Sequence, residues 1–391
     1  MAGVEQKMES QKGVDMKKTI FAPSALVGAG LQKKSNQVLV VEERKIVSIT
    51  DGDRRGADLV LPEGTVLLPG MIDCHTHLAL DARIPGHLGM MEDPEANQTL
   101  RALKSAQDDL ASGITGLRCL GDRYYLDVLL RDQGVFDVPW MQVAGIGMKG
   151  LHGHGYVGKG FSGKEEFRRQ CRENIYHHVD WLKIFITPGT PPVTGEWLNC
   201  FLAREEVRTV VEEAKSCGLK TSAHCLGGLG LQYCVEEGID VLDHCYYVDD
   251  KDIDLIMLHK PTICYTSGII LDDSRLPFCP KAHADAILKT RDEVVKRLTK
   301  LVANKPAFVI GSDAYHGLLY REVGYMVQLG MSAIEALSGV TVYAGEMMGR
   351  KTGQLTAGYD ADCIAVGGDP LSYPDVLGDV RFVMKAGKII R

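Results

Sequence analysis

The middle of the chain alternates between helix-like stretches and short apolar runs, and this alternation limits the possible folds more than any single motif does. "EANQTLRALKSAQDDLASG" precedes "ITGLRCLG", "YYLDVLLRDQG" precedes "VPWMQVAGIGM", and "KEEFRRQCRENIYHHVD" precedes "WLKIFIT". The order continues with "AREEVRTVVEEAKSCG" before "LKTSAHC", "GLQYCVEEG" before "IDVLDHCYY", "KDIDLIMLHK" before "PTICYTS", and "AILKTRDEVVKRLTKLVANK" before "AFVIGSDA". With "LLPGMIDCHTHL" first, about eight strand candidates each lead into a helix, which is the requirement of a (β/α)8 TIM-type barrel. A doubly wound open sheet is the alternative, but it calls for a Gly-rich phosphate turn after an early strand, and none is present.

Both ends differ from this middle. Residues 18–69 are strand-like and punctuated by Gly, Pro and Asp, and residues 351–391 share that character. The expected organisation is an α/β chain with a flexible tail over 1–17, a catalytic barrel over 70–350, and a small β-sandwich domain assembled from 18–69 and 351–391. A formal charge of -7 and the absence of a basic cluster exclude nucleic acid and anionic membranes as expected partners. The opening residues lack an apolar signal core, and no apolar run approaches a membrane span. Eleven cysteines without C-x-x-C pairs fit a reduced compartment, so a cytoplasmic location is expected.

In a barrel, side chains at the C-terminal strand ends share one mouth. Those positions carry His75 and His77 (strand 1), Lys183 (strand 4), His224 (strand 5), His244 (strand 6) and Asp313 (strand 8). On a strand, residues i and i+2 face one side, so both imidazoles of "HTH" point together and Cys74 points away, as do Cys225 and Cys245 beside their histidines. Taken singly, His224 and His244 also read as core histidines, and Asp313 as a helix cap. Lys183 is harder to place, because "WLKIFI" sets an ammonium in an apolar strand where an unpaired charge is costly. Together the residues suit a divalent metal such as zinc, iron or manganese.

The ordered set "HTH", "WLKIFIT", "SAHC", "LDHC" and "GSDA", with "LLPGMIDCHTHL" and the closing "TGQLTAGYDADCIAVGGDPL", resembles the amidohydrolase superfamily. Within it the chain is similar to the branch of imidazolonepropionase-like proteins and prolidase-type metal-dependent dipeptidases. The resemblance implies two divalent metal ions, zinc foremost, with Lys183 carboxylated by carbon dioxide into a bridging carbamate. It assigns His75, His77 and Asp313 to one metal and His224 and His244 to the other, with a hydroxide between them. Asp313 then carries the proton from the attacking hydroxide to the leaving nitrogen. His152 occupies a familiar histidine position and implies a catalytic, substrate-contacting role, while His154, where the pattern usually has another residue, is expected to contact the substrate with it; both also read as members of an exposed Gly-rich loop. Arg118 implies a substrate-carboxylate contact or a structural ion pair. Tyr246 and Tyr265 end strands 6 and 7, as pocket lining or as packing.

The expected function is hydrolysis of an amide C–N bond in a small molecule, an N-acyl amino acid or dipeptide-like compound. Opening of a cyclic amide such as an imidazolone, hydantoin or lactam is the alternative. Deamination is less favoured, because related deaminases generally lack the strand-4 lysine. A barrel without catalysis is also less favoured, because such members usually lose ligands. Family habit implies a homo-oligomer.

Overall fold

The computed structural model describes residues 17–155, 158–189 and 198–391, so the expected tail over 1–17 lies almost entirely outside the described residues. Five strands open the chain: β1 (Lys18–Val27), β2 (Gln32–Glu42), β3 (Lys45–Asp51), β4 (Leu59–Val60) and β5 (Val66–Pro69). Nine short parallel strands follow: β6 (Met71–Thr76), β7 (Ile114–Cys119), β8 (Trp140–Val143), β9 (Met148–Lys149), β10 (Trp181–Phe185), β11 (Lys220–Cys225), β12 (Val241–His244), β13 (Thr262–Tyr265) and β14 (Phe308–Ile310). Helices including Glu95–Ala111, Lys164–Tyr176, Arg204–Ser216 and Lys281–Ala303 separate them. β15 (Cys363–Val366), β16 (Val380–Lys385) and β17 (Lys388–Ile389) close the chain.

The strands from both ends form one sheet, in the order β17-β16-β15-β5-β1-β2-β3 with β4 paired to β1. A sandwich of two sheets was expected; one continuous ladder is found. At its centre, in β5 and β15, both faces are buried, because strand alternation splits each of these elements between two cores. Cys363 and Ala365 of β15 and Leu67 of β5 pack with Ile20, Leu39 and Phe382. Their neighbours Ile364, Val366, Val66 and Leu68 turn to the large core shared with the helices.

The parallel strands form two arcs, β6-β7-β8 and β9 through β14, and no continuous ladder closes the ring among the described residues. β8 and β9 lie on one stretch of chain but pair with β7 and β10 respectively. On the other side β14 approaches β6 through single contacts: Asp313 N–H donates to His75 O at 2.8 Å, and Ser312 Oγ–H to Asp73 Oδ2 at 2.6 Å. Gly311 permits this approach, since a Cβ there would stand 2.4 Å from the His75 backbone nitrogen.

Along β10, Leu182 and Ile184 join the helix-side core, and the alternate residues Trp181, Lys183 and Phe185 face the opposite way. Cys225 and Cys245 lie on the helix side as expected, but Cys74 packs with Ile72, Trp181, Cys264 and Val309 within the strands. The pairing of β6 with β7 slips between Asp73 and Thr76, and this irregularity breaks the alternation on which the expectation for Cys74 rested. All eleven cysteines are free thiols. No described helix is long and apolar enough to cross a membrane.

Candidate metal centre

A cavity of about 150 Å³ opens at the C-terminal ends of the strands, lined by His75, His77, His224, His244 and Asp313 among others. Ligand atoms of His75, His244 and Asp313 lie within 4.8 Å of one another. The His75 Nε2 atom is 3.3 Å from Asp313 Oδ1, and His77 Nε2 is 3.9 Å from the same oxygen. The His224 ring centroid lies 4.5 Å from that of His244. His244 therefore stands as near to His75 and Asp313 as one ligand does to another.

Irregular backbone aims two of these groups. His244 (φ 77°) and Asp313 (φ 56°) adopt left-handed conformations at the ends of their strands, as do the residues after them, Cys245 and Ala314. Such a turn lets both Asp243 and His244 reach the interior from successive positions, which regular alternation forbids.

Hydrogen bonds fix the rings. His77 Nδ1 pairs with Gly121 O at 2.8 Å, His244 Nδ1 with Thr266 Oγ1 at 2.7 Å, and His224 Nε2 with Pro188 O at 2.8 Å. Each leaves its other nitrogen for a ligand, the arrangement that metal-binding histidines use. Burial lowers the pKa of His77 to about 4 and of His244 to about 3, helped in both by His75, and takes His224 well below the usual range. These imidazoles are neutral, as ligation requires. His75 is the exception: burial lowers its pKa, but the Asp243 and Asp313 carboxylates outweigh this and raise it. The charge on Asp313 is kept despite burial by His75 above all.

Lys183 lies beneath this group, fully buried and in an ion pair with Asp243. Asp243 was not singled out from the sequence. The signal was available, since a carboxylate in the apolar run "VLDHC" needs a partner for the same reason that Lys183 does. Its oxygens also accept from Ser222 Oγ at 2.7 Å and Arg118 Nη2 at 3.1 Å, and lie 3.2 Å from His75 Nδ1.

Arg118 is thereby committed to the interior. It is fully buried, its Nε donates to Cys74 O at 2.6 Å, and its guanidinium lies 4.6 Å from the Trp181 ring centroid. Of the two readings open for it, the structural ion pair is the one found. Tyr246 lines the cavity, its hydroxyl donating to Thr266 O at 2.7 Å. Tyr265 does not; it packs in the helix-side core, 6.0 Å from the Phe308 ring.

The two histidines of "KGLHGHG" also part. His152 is exposed against Phe201 outside the cavity, whereas His154 lines it, with its ring 4.7 Å from His224. Gly189 makes room, because a Cβ there would lie 2.1 Å from His154 Cε1. His87, His283 and Tyr315 also line it and carried no sequence signal, since His87 and Tyr315 come from connecting segments and His283 from the first turn of the helix Lys281–Ala303.

The donor set fits a divalent metal: neutral imidazoles, a retained carboxylate, and a buried lysine near Arg118, whose Nη1 has no hydrogen-bond partner. Residues 66–390 match the amidohydrolase family. The chain is 24% identical to ochratoxinase of Aspergillus niger, with 96% of this chain and 87% of that protein covered. Among solved structures, a Xaa-Pro dipeptidase with bound methionine in its active site superposes with a TM-score of 0.83 at 23% identity, covering 96% of this chain and all 100% of that one. The A. niger ochratoxinase structure gives 0.82 at 22% identity, with 96% of each chain covered.

Proposed function

The chain belongs to the amidohydrolase family and is a hydrolase acting on carbon–nitrogen bonds, and from that premise we propose that it hydrolyses the amide bond of a small molecule at a binuclear metal centre. The observation that carries this reading is the convergence of His75, His77, His224, His244 and Asp313 on one cavity, with Lys183 buried beneath them. His75, His77, His224, His244 and Asp313, with Lys183 as its carbamate, would hold two divalent ions, zinc foremost. Carboxylation would turn the lysine from a cation into an anion and end its ion pair with Asp243, which keeps Arg118 as its counter-charge. Such a metal pair supplies a Lewis acid for the amide carbonyl and lowers the pKa of water.

The chain's own groups do the rest. Asp313, anchored through its backbone to His75, takes the proton of the attacking water on its carboxylate and delivers it to the leaving nitrogen. Of the two histidines expected to contact the substrate, His154 takes that role, and Tyr246 closes the wall beside His244. The names of the relatives, an ochratoxinase and a Xaa-Pro dipeptidase, are consistent with an amide substrate.

A second reading, opening of a cyclic amide, gains from the placement of Arg118. An acyclic substrate with a free carboxylate calls for a fixed cation, and Arg118 is committed to Asp243 instead. The test is a screen of zinc-reconstituted protein against N-acyl amino acids, dipeptides and cyclic ureides. Turnover that is lost on chelation and restored by metal supports the proposal; turnover that survives full metal removal contradicts it.

A further inference from the structure

One ring anchors the cavity wall contributed by the segment after β14. Tyr315 lines the cavity and is 5% exposed, and the Arg275 guanidinium carbon lies 3.5 Å from its ring centroid. Arg275 is itself buried and is held from three segments. Its Nη2 donates to Glu322 Oε1 at 2.9 Å and its Nη1 to Ser312 O at 3.4 Å, while its Nε lies 3.5 Å from Asp272 Oδ2. The other Glu322 oxygen, Oε2, accepts the Gly268 N–H at 2.8 Å. Gly268 admits this packing, since a Cβ there would stand 2.3 Å from Glu322 Oε1 and 2.5 Å from Arg275 Nη2.

A planar guanidinium fixed at its edges and stacked on a ring leaves that ring one orientation. Arg275 therefore holds the Tyr315 ring as a rigid surface and ties the segment after β13 to the segment carrying Asp313. Leu80, Leu88, Met91 and Ile269 extend the surface with apolar side chains. Among the described residues no lysine or arginine side chain lines the cavity. The cavity of about 150 Å³ thus has one apolar side, opposite the histidines and Asp313, against which a benzene-sized group can be seated.

We infer that Tyr315 is a specificity-determining residue, that the substrate carries a ring-sized apolar group seated against it, and that Arg275 is the positioning residue that fixes the ring. The reaction in this inference rests on the amide-hydrolase reading above, whereas the binding preference does not. Burying a ring-sized group is worth about ten- to a hundredfold in affinity.

The test uses the metal-loaded full chain with three amides: N-acetylglycine, N-benzoylglycine and N-acetylphenylalanine. Both binding, by calorimetry, and kcat/KM are measured for the wild type, Tyr315→Ala, Tyr315→Phe, Arg275→Met and Arg275→Lys. The expected result is at least about a tenfold preference of the wild type for one ring-bearing amide over N-acetylglycine. That ratio collapses in Tyr315→Ala, survives in Tyr315→Phe, falls in Arg275→Met mainly through KM, and is partly restored in Arg275→Lys. Equal ratios in the wild type and Tyr315→Ala overturn the role of Tyr315. An Arg275→Met that lowers all three amides alike reduces Arg275 to general stability. If Arg275→Met does not fold, the Tyr315 variants decide the specificity claim and Arg275→Lys, read by its ratio, decides the positioning claim. Ring-selective binding without turnover supports the inference while contradicting the hydrolase reading, so the two failures are distinguishable.

Discussion

The Lys183 ammonium on β10 and the Asp243 carboxylate on β12 pair across the intervening strand β11 with both side chains fully buried. Asp243 is the only carboxylate that touches both Lys183 and Arg118 among the described residues, so it compensates two buried cations at once. A buried pair of this kind adds little net stability as a whole, but removing one partner leaves an uncompensated charge.

Asp243→Asn is therefore expected to lower the unfolding free energy of the metal-free protein by about 3–5 kcal/mol. Urea denaturation of the two proteins at neutral pH measures this. A loss below about 1 kcal/mol would mean that water or another group already compensates Lys183 and Arg118.

The separation of His152 from His154 gives a sharper kinetic expectation. His154→Ala should reduce kcat/KM by about a hundredfold, the lower end of what a positioned imidazole contributes, and His152→Ala by no more than about twofold. Steady-state kinetics on any turned-over amide compares them, and the reverse order would return the substrate contact to His152.

Much of this site was legible in the sequence, because strand-end positions in an alternating β/α chain identify the inward-facing groups. His75, His77, Lys183, His224, His244 and Asp313 all came from that rule, with the family resemblance adding their roles. The rule failed where the backbone departs from a regular strand. Cys74 faces inward because the β6–β7 register slips, and Asp243 and His244 share the interior because His244 is left-handed. Arg118 and Tyr265 sit at plausible positions but are taken up by Asp243 and by the helix-side core. His87 and Tyr315 lie in connecting segments whose path no local periodicity encodes, and His283 opens a helix whose placement those segments set. Periodicity gave the parallel strands separated by helices, but it does not specify how the ends of a ladder meet, which is why one sheet stands where a two-sheet sandwich was expected and why the two arcs do not join in one ladder among the described residues.

The close approach of β14 to β6 depends on Gly311. An added methyl group there would meet the His75 backbone, so Gly311→Ala should move His75 and Asp313 apart. A displacement near 1 Å costs about a hundredfold in rate. The expected outcome is that loss with a far-ultraviolet circular dichroism spectrum like the wild type's; unchanged kinetics would show that the contact has slack.

His316 makes stability depend on pH. Its Nδ1 faces Asp109 Oδ2 at 2.9 Å and its Nε2 faces Leu80 O at 3.1 Å, two acceptors that both call for a proton. Burial lowers its pKa, but Asp109 outweighs this and raises the value from 6.5 to about 9. The imidazolium thus stabilises the fold fully below pH 6.5, and its contribution is lost as pH rises through about 9. The full contribution is about 3 kcal/mol. Urea midpoints should fall across this interval in the wild type and much less in His316→Asn; parallel curves would remove His316 as the cause.

The most direct measurement is the divalent metal content of zinc-reconstituted wild type and Lys183→Ala, by inductively coupled plasma mass spectrometry alongside amide turnover. Two ions per wild-type chain, with one or none and no turnover in the variant, partly restored by short carboxylic acids, is the predicted result. A Lys183→Ala protein that keeps both ions and full activity would contradict the binuclear, lysine-bridged centre.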